Sequence, residues 1–139
     1  MAKAEGLFKR AIESPNGNVF AQPYYNLGNL YRDNGRIDDA IKQYKKAIEV
    51  DPSFPFAYQN LATIYINNKR DLAKGMEVLE QLKKIQPGNA RVYYNLGLVY
   101  LATGNNDLAI HNFEMALDLA RGRDEEVEKA ISEILDQIR

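Results

Sequence analysis

One eight-residue segment occurs three times in this 139-residue chain, at residues 24–31, 58–65 and 93–100. The first copy reads Tyr-Tyr-Asn-Leu-Gly-Asn-Leu-Tyr, and the copies begin 34 and then 35 residues apart. Self-similarity at a fixed period of this size is typical of a stacked array of small structural units, each packed on its neighbours. We therefore look for function on a surface that the units share, not in one central cleft.

Apolar residues recur every three or four positions between stops made by proline and glycine, and this period predicts helices. No segment shows the apolar–polar alternation of a strand, so the predicted fold class is all-α. The predicted helices span approximately residues 2–14, 22–34, 38–50, 56–68, 71–85, 91–103 and 106–120, and a last helix opens at residues 123–124.

The first copy also carries small and aromatic residues at fixed offsets: Tyr24, Leu27, Gly28, Tyr31, Ala40, Tyr44 and Pro52. This pattern resembles the tetratricopeptide repeat family. The resemblance implies two antiparallel helices per repeat, stacked into an α-solenoid, a right-handed superhelix whose first helices line a concave groove. The later copies depart from the pattern at Ala62, Gly75 and Leu79, and Arg121 replaces the closing proline. These departures affect local packing and leave the expected fold unchanged.

The resemblance divides the chain into about three and a half repeats and a capping helix. Residues 21–54, 55–89 and 90–122 are the predicted repeats, and residues 123–139 are the predicted C-terminal capping helix. Residues 1–20 resemble the second helix of a preceding repeat, because Ala4, Phe8 and Ala11 have the spacing of the small and aromatic residues in the first repeat. This segment is either an N-terminal cap or the trace of a longer array.

Charge and composition exclude several classes of function. Lys and Arg (18) nearly balance Asp and Glu (19), so no broad positive field is present to attract nucleic acid. There is no apolar run of about 18 residues and no secretory signal, so we expect a soluble chain without direct membrane insertion. The chain has no cysteine, which fits the cytoplasm and leaves the periplasm open.

At about 100° per residue, one side of each repeat's first helix carries the pattern residues, and the opposite side is free for a ligand. We predict that the free sides form a partner-binding groove. Its candidate residues are Gln22, Tyr25, Asn26, Asn29, Asp33, Gln59, Asn60, Thr63, Asn67, Arg91, Tyr94, Asn95 and Leu98.

One asparagine recurs in every copy of the predicted groove, as Asn26, Asn60 and Asn95. An amide side chain offers both a donor and an acceptor, so a ladder of asparagines can bind the backbone of an extended peptide whatever its sequence. This resembles the asparagine ladder in the superhelix of the O-linked N-acetylglucosamine transferases. The alternative is that these asparagines brace neighbouring helices. Tyr25, Tyr94 and Arg91 would supply side-chain contacts.

Chaperone-binding members of the family grip a C-terminal carboxylate with a clamp of lysine, two asparagines, lysine and arginine. Asn29, Asn60 and Arg91 match three of these positions. Tyr25 and Asn95 replace two of the cations, which removes most of the charge-assisted hydrogen bonding. The sequence therefore does not favour this mode.

The sequence offers little for catalysis. His111 is the only histidine, and Glu114 one turn later is most simply a solvated neighbour. No cysteine nucleophile or glycine-rich phosphate loop is present, so we expect no catalytic site, cofactor or metal.

We therefore predict a protein–protein interaction scaffold that holds a peptide or helical segment of a partner. One alternative is a self-assembling structural element, in which Leu7, Phe8 or Ile12 would be left partly exposed at an open repeat end and would drive homo-oligomerisation. A second alternative is a substrate-selecting arm of a longer enzyme.

Overall fold

The computed structural model of the chain describes residues 5–6 and 20–139, and within that part of the chain every regular element is a helix. This confirms the predicted all-α fold class. Glu5 and Gly6 are helical, and the rest of the helix predicted over residues 2–14 lies outside the described residues. The helices are α1 (Ala21–Asp33), α2 (Ile37–Val50), α3 (Pro55–Asn67), α4 (Leu72–Ile85), α5 (Ala90–Ala102), α6 (Asn106–Ala120) and α7 (Glu125–Ile138).

The chain divides into two units, residues 1–71 and 72–139. In the first unit, α1 packs against α2, and α2 packs against α3. The apolar period of these helices is the cause, because it places Leu27 and Tyr31 of α1 and Tyr44 of α2 in the interior, each at most 4% exposed.

Gly28 lets α1 and α2 approach each other closely. A Cβ atom at this position would lie 2.6 Å from Cε1 of the Tyr44 ring, closer than atoms can pack. Tyr44 is fully buried, so other parts of the protein surround its ring. The Leu-Gly pair of the repeat pattern is therefore a steric requirement of an aromatic ring on the facing helix.

Two turns of the first unit each contain a residue with a positive φ, and the two turns use different residue types at that position. After α1, Gly35 has a φ of 77°, and the N–H of Arg36 bonds to the carbonyl of Tyr31 at 2.8 Å. The turn after α3 has no glycine, and Arg70 takes the positive φ, at 54°. The N–H of Asp71 then reaches the carbonyl of Tyr65 at 2.8 Å. At a positive φ, the Cβ atom of Arg70 crowds its own backbone, and glycine avoids this because it has no Cβ.

The second unit repeats the same close helix pairing. A Cβ atom at Gly97 of α5 would lie 2.6 Å from the ring of Phe113 on α6, which is fully buried. Helix α7 then packs on α6 through one apolar stripe, including Ile131, which is also fully buried. Asp124 caps α7 by accepting a hydrogen bond from the N–H of Val127 at 3.2 Å.

An ionised carboxylate links α4 to α5 within the second unit. Glu80 accepts a hydrogen bond from the Tyr100 hydroxyl at 2.9 Å and forms an ion pair with Lys83 at 2.8 Å. Burial opposes ionisation of Glu80, but these two partners outweigh it and lower the pKa of the carboxyl group below 4.5.

Within the described part of the chain, none of the helices has the length and apolar content needed to span a membrane.

Replacing Gly97 with alanine should destabilise the second unit. Overpacking costs about 1–3 kcal/mol, which exceeds the gain of about 1 kcal/mol from better helix propensity. Urea unfolding followed by circular dichroism measures the difference. Gly88→Ala, in the turn before α5, is the control without a steric clash, because nothing lies within 4 Å of a Cβ atom there. Equal stabilities for the two variants would contradict the steric account.

Replacing Tyr100 with phenylalanine should lower the free energy of unfolding at neutral pH by about 0.5–1 kcal/mol, since the lost bond is to a charged but partly exposed group. The folded-state pKa of Glu80 is lowered, so its contribution is present above pH 4.5 and disappears as the pH falls through the folded-state value. The difference between wild type and Tyr100→Phe should therefore shrink between pH 7 and pH 3. A difference that does not change with pH in urea titrations would show that Glu80 is not the partner.

Candidate partner-binding surface

Helices α1 and α3 bury one side each, and the predicted groove residues of the first unit lie on the other side. We call this solvent side of α1 and α3 the open face. Gln22, Asp33, Thr63 and Asn67 are exposed. The remaining predicted residues are half-buried, namely Tyr25, Asn26, Asn29, Gln59 and Asn60. All nine can therefore reach a ligand, while the pattern residues of the same helices are buried, apart from the half-buried Tyr24.

Three side chains on and behind the open face form a hydrogen-bonded group that we call the amide network, made of Tyr44, Asn29 and Asn60. The Tyr44 hydroxyl donates to Oδ1 of Asn29. Nδ2 of Asn60 donates to the same oxygen at 2.8 Å and lies 3.5 Å from the Tyr44 hydroxyl oxygen. The network joins α1, α2 and α3.

The amide network leaves one donor group and one acceptor free. Nδ2 of Asn29 and Oδ1 of Asn60 take no part in its hydrogen bonds. Neither is sealed from water, because within the described residues no buried side-chain nitrogen or oxygen lacks a partner. Asn29 and Asn60 therefore brace the helices and still offer a donor and an acceptor to a ligand.

The protonation state of Tyr44 supports this arrangement. Burial of the phenol raises its pKa above 10, although the nearby Arg32 and the hydrogen bond from Asn60 act in the opposite direction. The hydroxyl is thus protonated at physiological pH and can donate to Asn29.

Beside the amide network lies a group of rings that we call the aromatic cluster, made of Tyr25, Phe54 and Phe56. The Tyr25 ring centroid lies 5.4 Å from that of Phe54 and 6.2 Å from that of Phe56. Phe56 is 52% exposed, so much of its ring faces solvent. Tyr25 also contacts the Tyr44 ring at 6.1 Å, which makes the cluster and the network one continuous surface.

The predicted site did not include Phe54 or Phe56. Phe54 lies in the connection before α3, where helical periodicity carries no information. The available signal was the Phe-Pro-Phe sequence at residues 54–56, in which two large apolar side chains flank the proline that begins α3.

The predicted residues of the second unit lie on α5. Arg91, Asn95 and Leu98 are exposed, and Tyr94 is half-buried with its ring 6.1 Å from that of Phe113. Arg91 is paired with Asp124 at 3.1 Å, so its charge is partly compensated within the chain.

The asparagine ladder stays a prediction. Asn26 accepts a hydrogen bond from Nε2 of Gln22 at 3.0 Å, and Asn60 belongs to the amide network. Asn95 lies in the second unit and is exposed.

His111 is exposed on α6, and Glu114 forms an ion pair with Arg139 at 3.1 Å.

Comparison with known protein families matches most of the described chain. A "TPR repeat" model matches residues 28–69, and "Tetratricopeptide repeat" models match residues 57–89 and 90–122. The chain belongs to the tetratricopeptide repeat family, as the sequence resemblance predicted.

Among curated proteins, the chain is similar to the probable UDP-N-acetylglucosamine–peptide N-acetylglucosaminyltransferase SPINDLY of Hordeum vulgare. The two are 31% identical over 119 residues, which is 78% of this chain and 12% of the barley protein. This chain thus corresponds to a small part of that relative.

Two solved structures show the same fold. MamA is 26% identical with a TM-score of 0.74, over 90% of this chain and 67% of MamA. The Yersinia enterocolitica type III secretion chaperone SycD, solved with a peptide of the translocator YopD, is 16% identical with a TM-score of 0.76, over 84% of this chain and 90% of SycD. The likeness to SycD concerns the fold alone.

The amide network predicts energetic coupling between Asn29 and Asn60. In a double-mutant cycle of Asn29→Ala and Asn60→Ala, we expect a coupling free energy of about 0.5–1.5 kcal/mol, because each single change breaks the same bond. Urea unfolding of the wild type and the three variants measures it. Strictly additive effects would mean that the two amides do not depend on each other.

Proposed function

We propose that this chain is a protein-interaction module that binds a segment of a partner protein on its open face. The main observation in support of this proposal is that free amide groups and exposed aromatic rings occur together on one side of α1 and α3. The amide network supports the proposal because its free donor and acceptor suit a peptide backbone.

The order already present on the open face also favours binding. Side chains fixed by hydrogen bonds and ring contacts lose little conformational freedom when a ligand arrives, so less of the interaction free energy is spent on ordering them. Aromatic side chains add a large contact area on a rigid frame. SycD, which shares the fold, holds a peptide of YopD in its solved complex, so the fold is compatible with this role.

A second candidate is that the module selects substrates for an enzyme. The likeness to the barley transferase supports it, because the match covers 78% of this chain and lies within a protein named as an enzyme. Mass spectrometry of the endogenous gene product tests this candidate. Peptides from a catalytic domain on the same polypeptide support it, and their absence from a completely covered product contradicts it.

The module should select peptides that depend on the open face. We would pan a phage library of random dodecapeptides on the immobilised chain and measure the selected peptides by fluorescence anisotropy. Asn26→Ala, Asn29→Ala and Asn60→Ala in combination should weaken binding by about tenfold or more, as expected for loss of several ligand hydrogen bonds.

The matched control combines Gln81→Ala, Asn106→Ala and Gln137→Ala, which removes three exposed amides from α4, α6 and α7. This control should bind like wild type. If both triple variants stay folded and bind the selected peptides equally well, the open face is not the binding surface.

A further inference from the structure

We propose that the open face binds an internal, uncharged segment of a partner through one bulky apolar side chain, and not a C-terminal carboxylate. This inference rests on the function proposed above and specifies the ligand chemistry of the same surface. The side chain would lie on the aromatic cluster, and the backbone beside it would bond to the amide network.

The aromatic cluster defines the apolar part of the site. Phe54 and Phe56 meet edge to face, with ring centroids 5.6 Å apart. Tyr25 and Phe54 are anchored beneath by the buried Ala21, Ala47 and Ala57, so the rings are held in place while Phe56 stays half exposed. A leucine- or phenylalanine-sized side chain covering these rings would bury apolar surface that water now contacts.

The amide network defines the polar part. Oδ1 of Asn29 and Nδ2 of Asn60 are hydrogen-bonded at 2.8 Å. The two free atoms, Nδ2 of Asn29 and Oδ1 of Asn60, therefore belong to neighbouring amide groups. One residue of an extended chain presents its own C=O and N–H along the same edge, which suits a neighbouring donor and acceptor. The ring contact between Tyr25 and Tyr44 keeps this pair next to the aromatic cluster.

The charges of the open face decide against an anionic ligand end. The guanidinium of Arg32, in the last turn of α1, donates to Oδ1 of Asp33 at 3.1 and 3.2 Å, so its charge is paired within the chain. Gln22, Asn26, Gln59 and Thr63 complete the surface without charge. A terminal carboxylate would lose hydration here and gain no unpaired cation, whereas a neutral segment loses little.

A panel of short peptides tests this inference on the 139-residue chain. The parent probe is the heptapeptide Ser-Gly-Thr-Phe-Thr-Gly-Ser, acetylated and amidated. Three further probes each carry one change. The first has Ser in place of Phe, the second ends in a free carboxylate directly after Phe, and the third has Asp in place of both Thr residues. Chemical-shift titration of the 15N-labelled chain detects binding even when it is weak, and it locates the contact.

We expect the parent probe to shift the amide signals of Tyr25, Asn29, Phe56 and Asn60. The other three probes should bind at least about tenfold more weakly, since each loses the apolar anchor or adds an unpaired charge. Phe56→Ser should weaken the parent probe similarly. Leu108→Ser, at an apolar side chain that is 41% exposed on α6, is the matched control and should bind like wild type.

The inference would be overturned if the free-carboxylate probe or the Phe-to-Ser probe bound as tightly as the parent probe, or if the named residues showed no shift. The library-selected dodecapeptides keep this result separate from the proposed function. If those peptides depend on the open face while the heptapeptides do not behave as stated, the ligand chemistry is wrong and the binding surface stands. If the dodecapeptides do not depend on the open face, the proposed function itself fails.

Discussion

The contact between a glycine on the first helix of a repeat and an aromatic ring on the second helix constrains this structure most. In both places where it is described, a Cβ atom on the glycine would lie 2.6 Å from the ring, at Gly28 with Tyr44 and at Gly97 with Phe113. Both rings are fully buried. The contact therefore sets how closely the paired helices pack, and it fixes which side of each first helix is turned inward.

The opposite side of each first helix is left to solvent as a consequence. In the first unit this side carries the amide network and the aromatic cluster, and Tyr44 connects them to the helix pairing. Its ring packs on Gly28 and contacts Tyr25, while its hydroxyl donates to Asn29. In the second unit the corresponding ring is Phe113, which has no hydroxyl to donate, so the two units differ chemically although their helix pairing is the same.

The sequence predicted the helices well, because the apolar period and the proline and glycine stops act locally. It also predicted that Leu27, Gly28 and Tyr31 lie on the buried side of α1. The sequence did not predict the hydrogen bond between Asn29 and Asn60, because these residues are 31 positions apart and their contact depends on how α1 and α3 pack. Phe54 was missed because it lies in the connection before α3. The sequence predicted a turn without glycine near Arg70, but it did not predict that Arg70 takes the positive φ.

The central claim is that the open face of α1 and α3 contacts the partner. Intermolecular nuclear Overhauser effects between the 13C-labelled chain and a library-selected dodecapeptide test it most directly, because they report which side chains of the two molecules are in contact. We predict contacts from the peptide to the rings of Tyr25 and Phe56. Contacts confined to other helices, for example to the exposed Leu108 and Met115 of α6, would contradict the account.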